Sequence, residues 1–544
     1  MATKLNAETA AHEQLELFSA SRLPLKPYYT PSDREGKPYD EIGDPGDYPF
    51  TRGFHKTAYN KTPWMMQQVL GAGNADETRE IMDRLVTEGM EGYFGHAVFN
   101  VVFDNPTKGG IDPDRAEAKG HVGVGGMNFS HLDDIRRLVK DLPLDKINLS
   151  MITGDTCLIA LAMYAVAAEE AGYEPQQLRG NSMNWLLKSF CVDNPDFPPR
   201  NAQKLVVQLI KYCTENMPYW NTTNFSGYLI REAGCSGVQE LAFTLAWGIS
   251  TIQACVDAGL DVDAFAPRLG FQIAFHNDFF EEIAKLRALR RMWAKVLKER
   301  FGATNPRAMH ARVHIHTAGD TLLAQQPQNN IVRVALQALG SMLAGVQSVH
   351  SCAYTETLQI PNEEQARLAL RTQQIVLHET GGAKVADPLG GSWYLEQLTD
   401  DIEARAWEII DEIDGMGGFV ASIESGWVKS QIVDELFETQ DRINDGELVR
   451  VGLNKYEVEE AAETKPDVFT VDPAIEQEAI RRITEWKANR DQDEVQRRLE
   501  EVRRAAAADD YLMPKLIDAV KAKATQGEIM DVFKDVYGWG FVTN

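Results

Sequence analysis

The chain has no CxxC pair. Its six cysteines, at positions 157, 191, 213, 235, 255 and 352, stand far apart, which excludes a zinc ribbon and a redox dithiol and suits a reducing cytosol. It also lacks a run of roughly 18 apolar residues of the kind that spans a membrane. The opening segment carries Glu8, Glu13 and Glu16 where a secretory signal would be apolar. Positive charge is short: 55 Lys and Arg face 80 Asp and Glu, and the net charge of −25 argues against nucleic acid or an anionic membrane as partner. The glycine-rich pieces His121-Val122-Gly123-Val124-Gly125-Gly126 and Gly390-Gly391 match neither a P-loop nor a dinucleotide fingerprint, so they read as turns and close-packing points. Ser226 lacks the His and acid partners of a hydrolase triad, and no internal repeat is evident.

What is present is an ordinary globular composition, 44% hydrophobic and 25% charged, able to bury a full core. A length of 544 residues exceeds one ordinary core, whereas an α/β barrel of about 250 residues or more plus a helical region would fit. Residues 1–47 are polar and rich in Pro, Gly and Tyr, as expected of an extended arm that packs on other structure or clasps a partner subunit. Short β-rich segments at 93–103, 146–152, 221–225, 268–275, 312–317 and 348–354 alternate with helical patterns at 157–171, 203–216, 238–258, 278–299 and 332–344. Strand-then-helix repetition implies parallel strands joined by right-handed crossovers, and the pattern fits a doubly wound sheet or a closed barrel equally. Beyond 400 the chain turns helical and charged, with an amphipathic helix pair over 512–537. The expected division is an arm over 1–47, a catalytic unit over 48–400 and a helical region over 401–544. Arg287, Arg290 and Arg291 form either a basic entrance for an anionic ligand or a solvated helix face.

Several motifs occur in a fixed order: Tyr48-Pro49-Phe50-Thr51-Arg52-Gly53, Pro63-Trp64, Phe225-Ser226-Gly227-Tyr228 with Glu232-Ala233-Gly234, Phe265-Ala266-Pro267-Arg268-Leu269, Asn329-Asn330-Ile331-Val332-Arg333, and Asp387-Pro388-Leu389-Gly390-Gly391-Ser392. Together they resemble the catalytic large subunits of the methylmalonyl-CoA mutase family, which include those acting on isobutyryl-CoA and 2-hydroxyisobutyryl-CoA, and they span nearly the whole chain. The resemblance implies a (β/α)8 TIM barrel with an N-terminal arm and a C-terminal helical region. It also implies a radical rearrangement of an acyl-CoA that depends on adenosylcobalamin, with the active site at the C-terminal ends of the strands. His314, His316, Ser351 and Tyr354 are then expected near those ends.

By the same resemblance, Glu356 falls on the carboxylate that grips the adenosyl ribose, and Gly227, Tyr228, Glu232 and Gly319 fall on the cofactor side. Arg268, Thr57, Gln67, Gln347 and Ser348 fall on the substrate side. His314 matches a histidine near the substrate, while His316 stands where the family has glutamine. Two residues apart on a strand face one side, so this pair could bind a metal, but no third ligand is evident, and His316 is expected to shape the pocket.

Departures from the pattern bear on the substrate. Leu229 replaces a histidine that holds the thioester carbonyl, Val69 replaces a tyrosine, and Asp193 replaces an arginine that pairs with a free substrate carboxylate. An acid at 193 would repel a malonyl-type substrate. Val102 lacks the acid expected for a 2-hydroxyisobutyryl substrate, and Thr62, Gln67 and Met183 alter positions near CoA. Residues 95–100 look like a short insertion.

A neutral, branched or bulky acyl-CoA is therefore expected. Asp-x-His-x-x-Gly, the cobalamin-ligating motif, is not matched at His316 or His378, so a small, separately encoded cobalamin subunit is expected in a heterotetramer around a homodimer of large subunits, in the cytoplasm. The alternatives are a mutase acting on another carboxylic acid derivative and a non-catalytic paralogue that binds the cobalamin subunit.

Overall fold

The computed structural model describes residues 17–26, 28–37, 39, 42–60, 62–87, 97–188, 190–191, 196–358, 360–458 and 472–541. Asp193 and residues 95–96 of the suspected insertion at 95–100 lie outside them, while 97–100 form part of a strand. Eight strand runs occupy the centre: β1 (Met65–Gln67 and Val69–Leu70), β2 (Ala97–Val102), β3 (Ile147–Ile152), β4 (Gly180–Ser182), β5 (Trp220–Asn221 and Thr223–Ser226), β6 (Leu269–Phe275), β7 (Val313–Thr317) and β8 (Ser348–His350). All neighbouring pairs are parallel. Met65–Gln67 pairs with β8 and Val69–Leu70 with β2, while Trp220–Asn221 pairs with β4 and Thr223–Ser226 with β6. β1 and β5 are each one run broken by a single residue, and each contributes to both five-stranded sheets, an arrangement consistent with the expected barrel.

Each strand is followed by a helix on the outside, from Ala75–Thr87 after β1 to Glu363–Glu379 after β8. The expected strands agree with the structure to within a few residues, but β1 and β4 were not anticipated. β4 spans only three residues and contains Gly180 and Asn181, neither a strand former, and the β1 segment Met65-Met66-Gln67-Gln68 has no alternation to detect.

The strands alternate in an unusual sense. In β3, Leu149 and Met151 are buried in the core formed with the outer helices, whereas Asn148 and Ser150 line the lumen. The same holds for Phe225 against Asn224, Ile315 against His314 and Val349 against Ser348. Barrels of this type are ordinarily filled by layers of Val, Ile and Leu. Here many inward positions are small or polar, beside apolar ones such as Met65, Val98 and Met183, and the lumen stays open.

The barrel's apolar grip is therefore on its helix ring. Cys157–Glu170 is buried on all sides from Cys157 to Ala168, because the C-terminal helices Met513–Lys521 and Gln526–Tyr537 cover the face it turns away from the strands. The first C-terminal helix, Trp393–Gly415, packs on Gly237–Asp257 and Phe279–Lys295, and the expected boundary at 400 falls inside it. The described part of the arm folds back on its own chain: Ala20 N–H donates to Asp278, Ser21 to Glu281, and Arg34 and Lys37 pair with Asp400. Among the described residues, no helix is long and apolar enough to cross a membrane.

Arg287, Arg290 and Arg291 are neither an entrance nor a solvated face. They lie buried on Phe279–Lys295, where Arg287 pairs with Asp387 at 2.6 Å and Glu396 at 2.5 Å, and Arg291 with Asp400 and Glu403. Arg290 donates to the carbonyls of Thr51 and Ala344. One turn earlier, Lys285 sits between Glu240 and Glu282, all three buried. Periodicity could not show this, because a charged face reads as solvated whether or not another helix covers it. Removing one partner of such a pair leaves an uncompensated buried charge, so Arg287→Leu is expected to cost about 3–5 kcal/mol. A urea-unfolding midpoint equal to that of the native chain would refute the network's structural role.

Candidate functional site

The lumen forms a cavity of about 560 Å³, a size suited to a small-molecule ligand. Its open end is at the N-terminal ends of the strands, opposite to the end where such barrels usually hold their active sites. Around this rim stand Arg179, Arg268, Arg307 and Arg312, with Tyr219 among them. The Arg179 guanidinium lies 4.2 Å and that of Arg268 5.7 Å from the Tyr219 ring centroid. Arg312 donates to Asn221 Oδ1 at 3.0 Å. Among the described residues, none of the four arginines has a carboxylate partner within salt-bridge distance. Burial, then the neighbouring charges of Arg307 and Arg179, push the Arg268 guanidinium down, and burial with Arg268 and Arg307 does the same to Arg312. In a chain of net charge −25 this is a local, mutually repelling positive rim, which an anion would relieve.

Deeper in, Gln67, Gln347, Ser348 and His314 meet in the cavity wall. Gln347 is partly engaged elsewhere, its Oε1 accepting from Val313 N–H at 2.8 Å. His314 Nδ1 is 2.8 Å from the Ser348 hydroxyl, while its Nε2 is buried without a protein partner. Burial, reinforced by His316, pushes the His314 imidazole down to about 3, so it is neutral at physiological pH. In the tautomer in which Ser348 donates to Nδ1, Nε2–H is a donor without a partner among the described residues. Asn100 Oδ1 and Asn181 Oδ1 are likewise buried without partners. Asn100 is the register partner of Val69 across β1 and β2. Thr57, by contrast, is exposed on the loop beyond Phe54 and His55 and does not line the cavity.

A second cluster lies at the C-terminal end. The Tyr228 ring lies on His316, with centroids 4.1 Å apart, and His316 in turn on His350 at 4.3 Å. Val69 N–H points at His350 Nδ1 from 3.3 Å. Glu232 accepts from the backbone of Gly319 at 2.9 Å and of Asp320 at 3.1 Å, so it orders that turn. Asp320 also meets His276 Nε2 at 3.1 Å. Gly319 is tight because a Cβ there would come 3.2 Å from Glu232. Gly227 is needed for packing, since a Cβ would lie 2.5 Å from Thr244 Oγ1 and 2.9 Å from Ile273. Leu229 N–H caps onto Ser226 Oγ at 3.4 Å as the short helix Gly227–Glu232 begins. Glu356 stands at this mouth with a carboxylate that accepts no hydrogen bond from any described residue, and the surrounding protein raises it above the usual carboxylate range. His314 is not part of any potential metal-ligand cluster among the described residues; His316 instead meets His350 and Cys352.

Sequence reasoning missed Arg179, Arg307, Arg312, Tyr219, Asn100 and Asn181. Arg179 and Arg312 each immediately precede a strand, and polar residues recur at alternate strand positions. Those were the available signals.

A sequence profile described as Methylmalonyl-CoA mutase matches residues 18–539. The 2-hydroxyisobutanoyl-CoA mutase large subunit of Aquincola tertiaricarbonis is 39% identical over 97% of this chain and 93% of its own length. The methylmalonyl-CoA mutase large subunit of Streptomyces virginiae is 37% identical over 95% of this chain and 70% of its own. A probable mitochondrial methylmalonyl-CoA mutase of Caenorhabditis elegans is 37% identical over 95% and 68%.

His314 yields a pH prediction. Its folded-state value lies below the unfolded imidazole's usual 6.5 or so, so its contribution to stability is full above that pH and is lost as pH falls toward about 3. Between pH 6 and 4 the His314→Gln variant should therefore show a stability profile shallower by up to ~1.4 kcal/mol per pH unit. Parallel profiles for the two proteins in chemical denaturation would show that this imidazole is not held neutral.

Proposed function

The chain belongs to the methylmalonyl-CoA mutase family, and from that premise we propose that it is the substrate-binding large subunit of an adenosylcobalamin-dependent mutase acting on a neutral, branched or bulky acyl-CoA. The rim of unpaired arginines carries the assignment. An acyl-CoA is a long polar arm with phosphates at one end and a thioester at the other, and the lumen has matching chemistry along its length. Arg179, Arg268, Arg307 and Arg312 would hold the phosphates by charge-assisted hydrogen bonds. Asn148, Ser150, Asn181 and Asn224 would meet the amides of the arm. Entry from the rim delivers the thioester to His314, whose free Nε2–H would donate to its carbonyl. That donor supplies the polar handle missing at Leu229.

The acyl pocket would lie above His314, bounded by Val69, Asn100 and His316. None of these three side chains offers a positive charge to a free carboxylate, since burial keeps the His316 imidazole low. Asn100 Oδ1 is an acceptor without a donor, and it favours an acyl group that brings a hydroxyl or none over one that brings a charge.

The C-terminal mouth fits the cofactor side. Glu356 presents two unengaged acceptor oxygens for a pair of ribose hydroxyls, and Gly319 and Tyr228 form a close-set floor beside it. Adenosylcobalamin, when bound, supplies the radical chemistry through its weak cobalt to carbon bond. The chain's own part is to bring the thioester to that end, exclude water and hold the carbonyl through His314. Two relatives are named as large subunits; on the proposed reading a separate small subunit would carry the cobalamin, in an assembly built on paired large subunits.

The test is calorimetric titration with CoA thioesters, followed by turnover of an acyl-CoA panel after mixing with the small subunit and adenosylcobalamin. Arg268→Ala and Arg312→Ala should each weaken thioester binding roughly 10- to 100-fold. Equal affinity for an acyl-CoA and the matching acyl-pantetheine would sink the rim assignment. Isomerisation of branched or bulky neutral thioesters, lost in the His314→Ala variant by about 100-fold, is the expected turnover result. Turnover of methylmalonyl-CoA alone would overturn the substrate class, and binding without any turnover would favour a non-catalytic paralogue.

A further inference from the structure

His316 ends the lumen at the top of β7, and β8 delivers His350 beside it with Cys352 two residues further on. The ligand-capable atoms of the three side chains all lie within 4.8 Å of one another, and all three residues are buried. Cys352 Sγ is 3.7 Å from His316 Nδ1. Around a tetrahedral Zn²⁺ with its usual bond lengths to sulfur and nitrogen, a thiolate and an imidazole nitrogen stand about 3.6 Å apart. The spacing is thus that of two ligands of one ion.

The protons of this pair have a common destination. Thr317 C=O lies 2.9 Å from His316 Nδ1 and 3.1 Å from Cys352 Sγ, so an N–H and an S–H are both directed at one oxygen. Thr317 also fixes the position of Cys352, whose N–H donates to the Thr317 hydroxyl at 2.9 Å. The rings are fixed by contacts on their outer faces: Tyr228 covers His316, and Val69 N–H orients His350. A cation on His350 replaces that last, weak contact, either by taking Nδ1 itself or by taking Nε2 and sending the ring proton to Nδ1.

We propose that His316, His350 and Cys352 form a binding site for one borderline-soft divalent cation of the Zn²⁺ class. A sulfur with two imidazoles selects such ions over Mg²⁺ or Ca²⁺. Three protein ligands leave the fourth position open toward the mouth, the arrangement of reactive rather than closed structural zinc sites. The imidazoles are neutral and keep one proton each, with the His316 proton moving to Nε2 when Nδ1 takes the ion. The thiol loses its proton, so the balance is one cation bound and one proton released. The charged and titratable groups facing the site are Glu356, Glu232 and Asp320, with His314 and Tyr228. Burial and the first three hold the Cys352 thiol up, yet their negative field favours a dication in its place.

The test uses the full-length chain stripped of metal and titrated with Co²⁺, whose thiolate charge-transfer absorption reports sulfur ligation directly. One Co²⁺ per chain is expected, with that absorption, displaced by Zn²⁺, and with an affinity that rises tenfold per pH unit because one proton leaves. Cys352→Ser should abolish the charge-transfer band and weaken Zn²⁺ by more than about 100-fold, beyond what an outer hydrogen-bonding partner commands. His316→Gln should weaken binding while keeping the band. No charge-transfer band in the folded native chain would overturn the proposal, as would a band that survives in Cys352→Ser and so belongs to another of the six cysteines.

Discussion

The structure depends on the direction in which its barrel strands alternate. Polar side chains on the inner face and apolar ones on the outer face give an open tube held only from outside. Each inward amide or imidazole without a partner costs about 1–3 kcal/mol of desolvation, and Asn100, Asn181 and His314 all carry one such atom. The core cannot make up that loss from within the barrel, because no apolar layer fills it. It comes instead from burying Leu149, Met151, Phe225, Ile315 and Val349 beneath the helices, and from enclosing helices such as Cys157–Glu170 on every side with C-terminal segments. The C-terminal helices are therefore part of the barrel's stability rather than an appendage.

The same demand explains the buried charges on Phe279–Lys295. That helix lies between the barrel and Trp393–Gly415, and its arginines reach Asp387, Glu396, Asp400 and Glu403 across the interface. Ion pairs of this kind fix geometry more than they add stability. Asp400 links Arg291 to Arg34 and Lys37 of the N-terminal arm, so arm, barrel helix and outer helix meet at a single carboxylate.

Much of this was legible in the sequence because alternation of strand and helix survives in the residue pattern, and because the motif order follows the fold. β6 and β7 were read to within one residue and the long barrel helices to within about four. The losses have physical causes. β4 is too short for its pattern to rise above its own glycine, and β1 carries two glutamines in succession. The arginines on Phe279–Lys295 looked like surface because sequence shows a charge but not what covers it. The site divided in the same way. His314, Ser348, Gln347, Gln67 and Arg268 were each singled out in the sequence, but the rim as a whole was not, since Arg179, Arg268 and the pair Arg307 and Arg312 come from three separate connections that only the ring of strands brings together. His350 and Cys352 reach His316 for the same reason, through strand pairing between β7 and β8.

The distance between the two ends of the lumen is itself a selective device. From Arg312, just before β7, to His316 near its end the chain climbs four residues, roughly 13 Å of strand. A ligand gripped at the rim thus reaches the upper chamber only if its arm spans that length, whatever group it carries at the tip. On the proposed assignment the barrel acts as a ruler: it rejects short thioesters and free acids by measurement, leaving the few side chains around Val69 to judge only shape and charge.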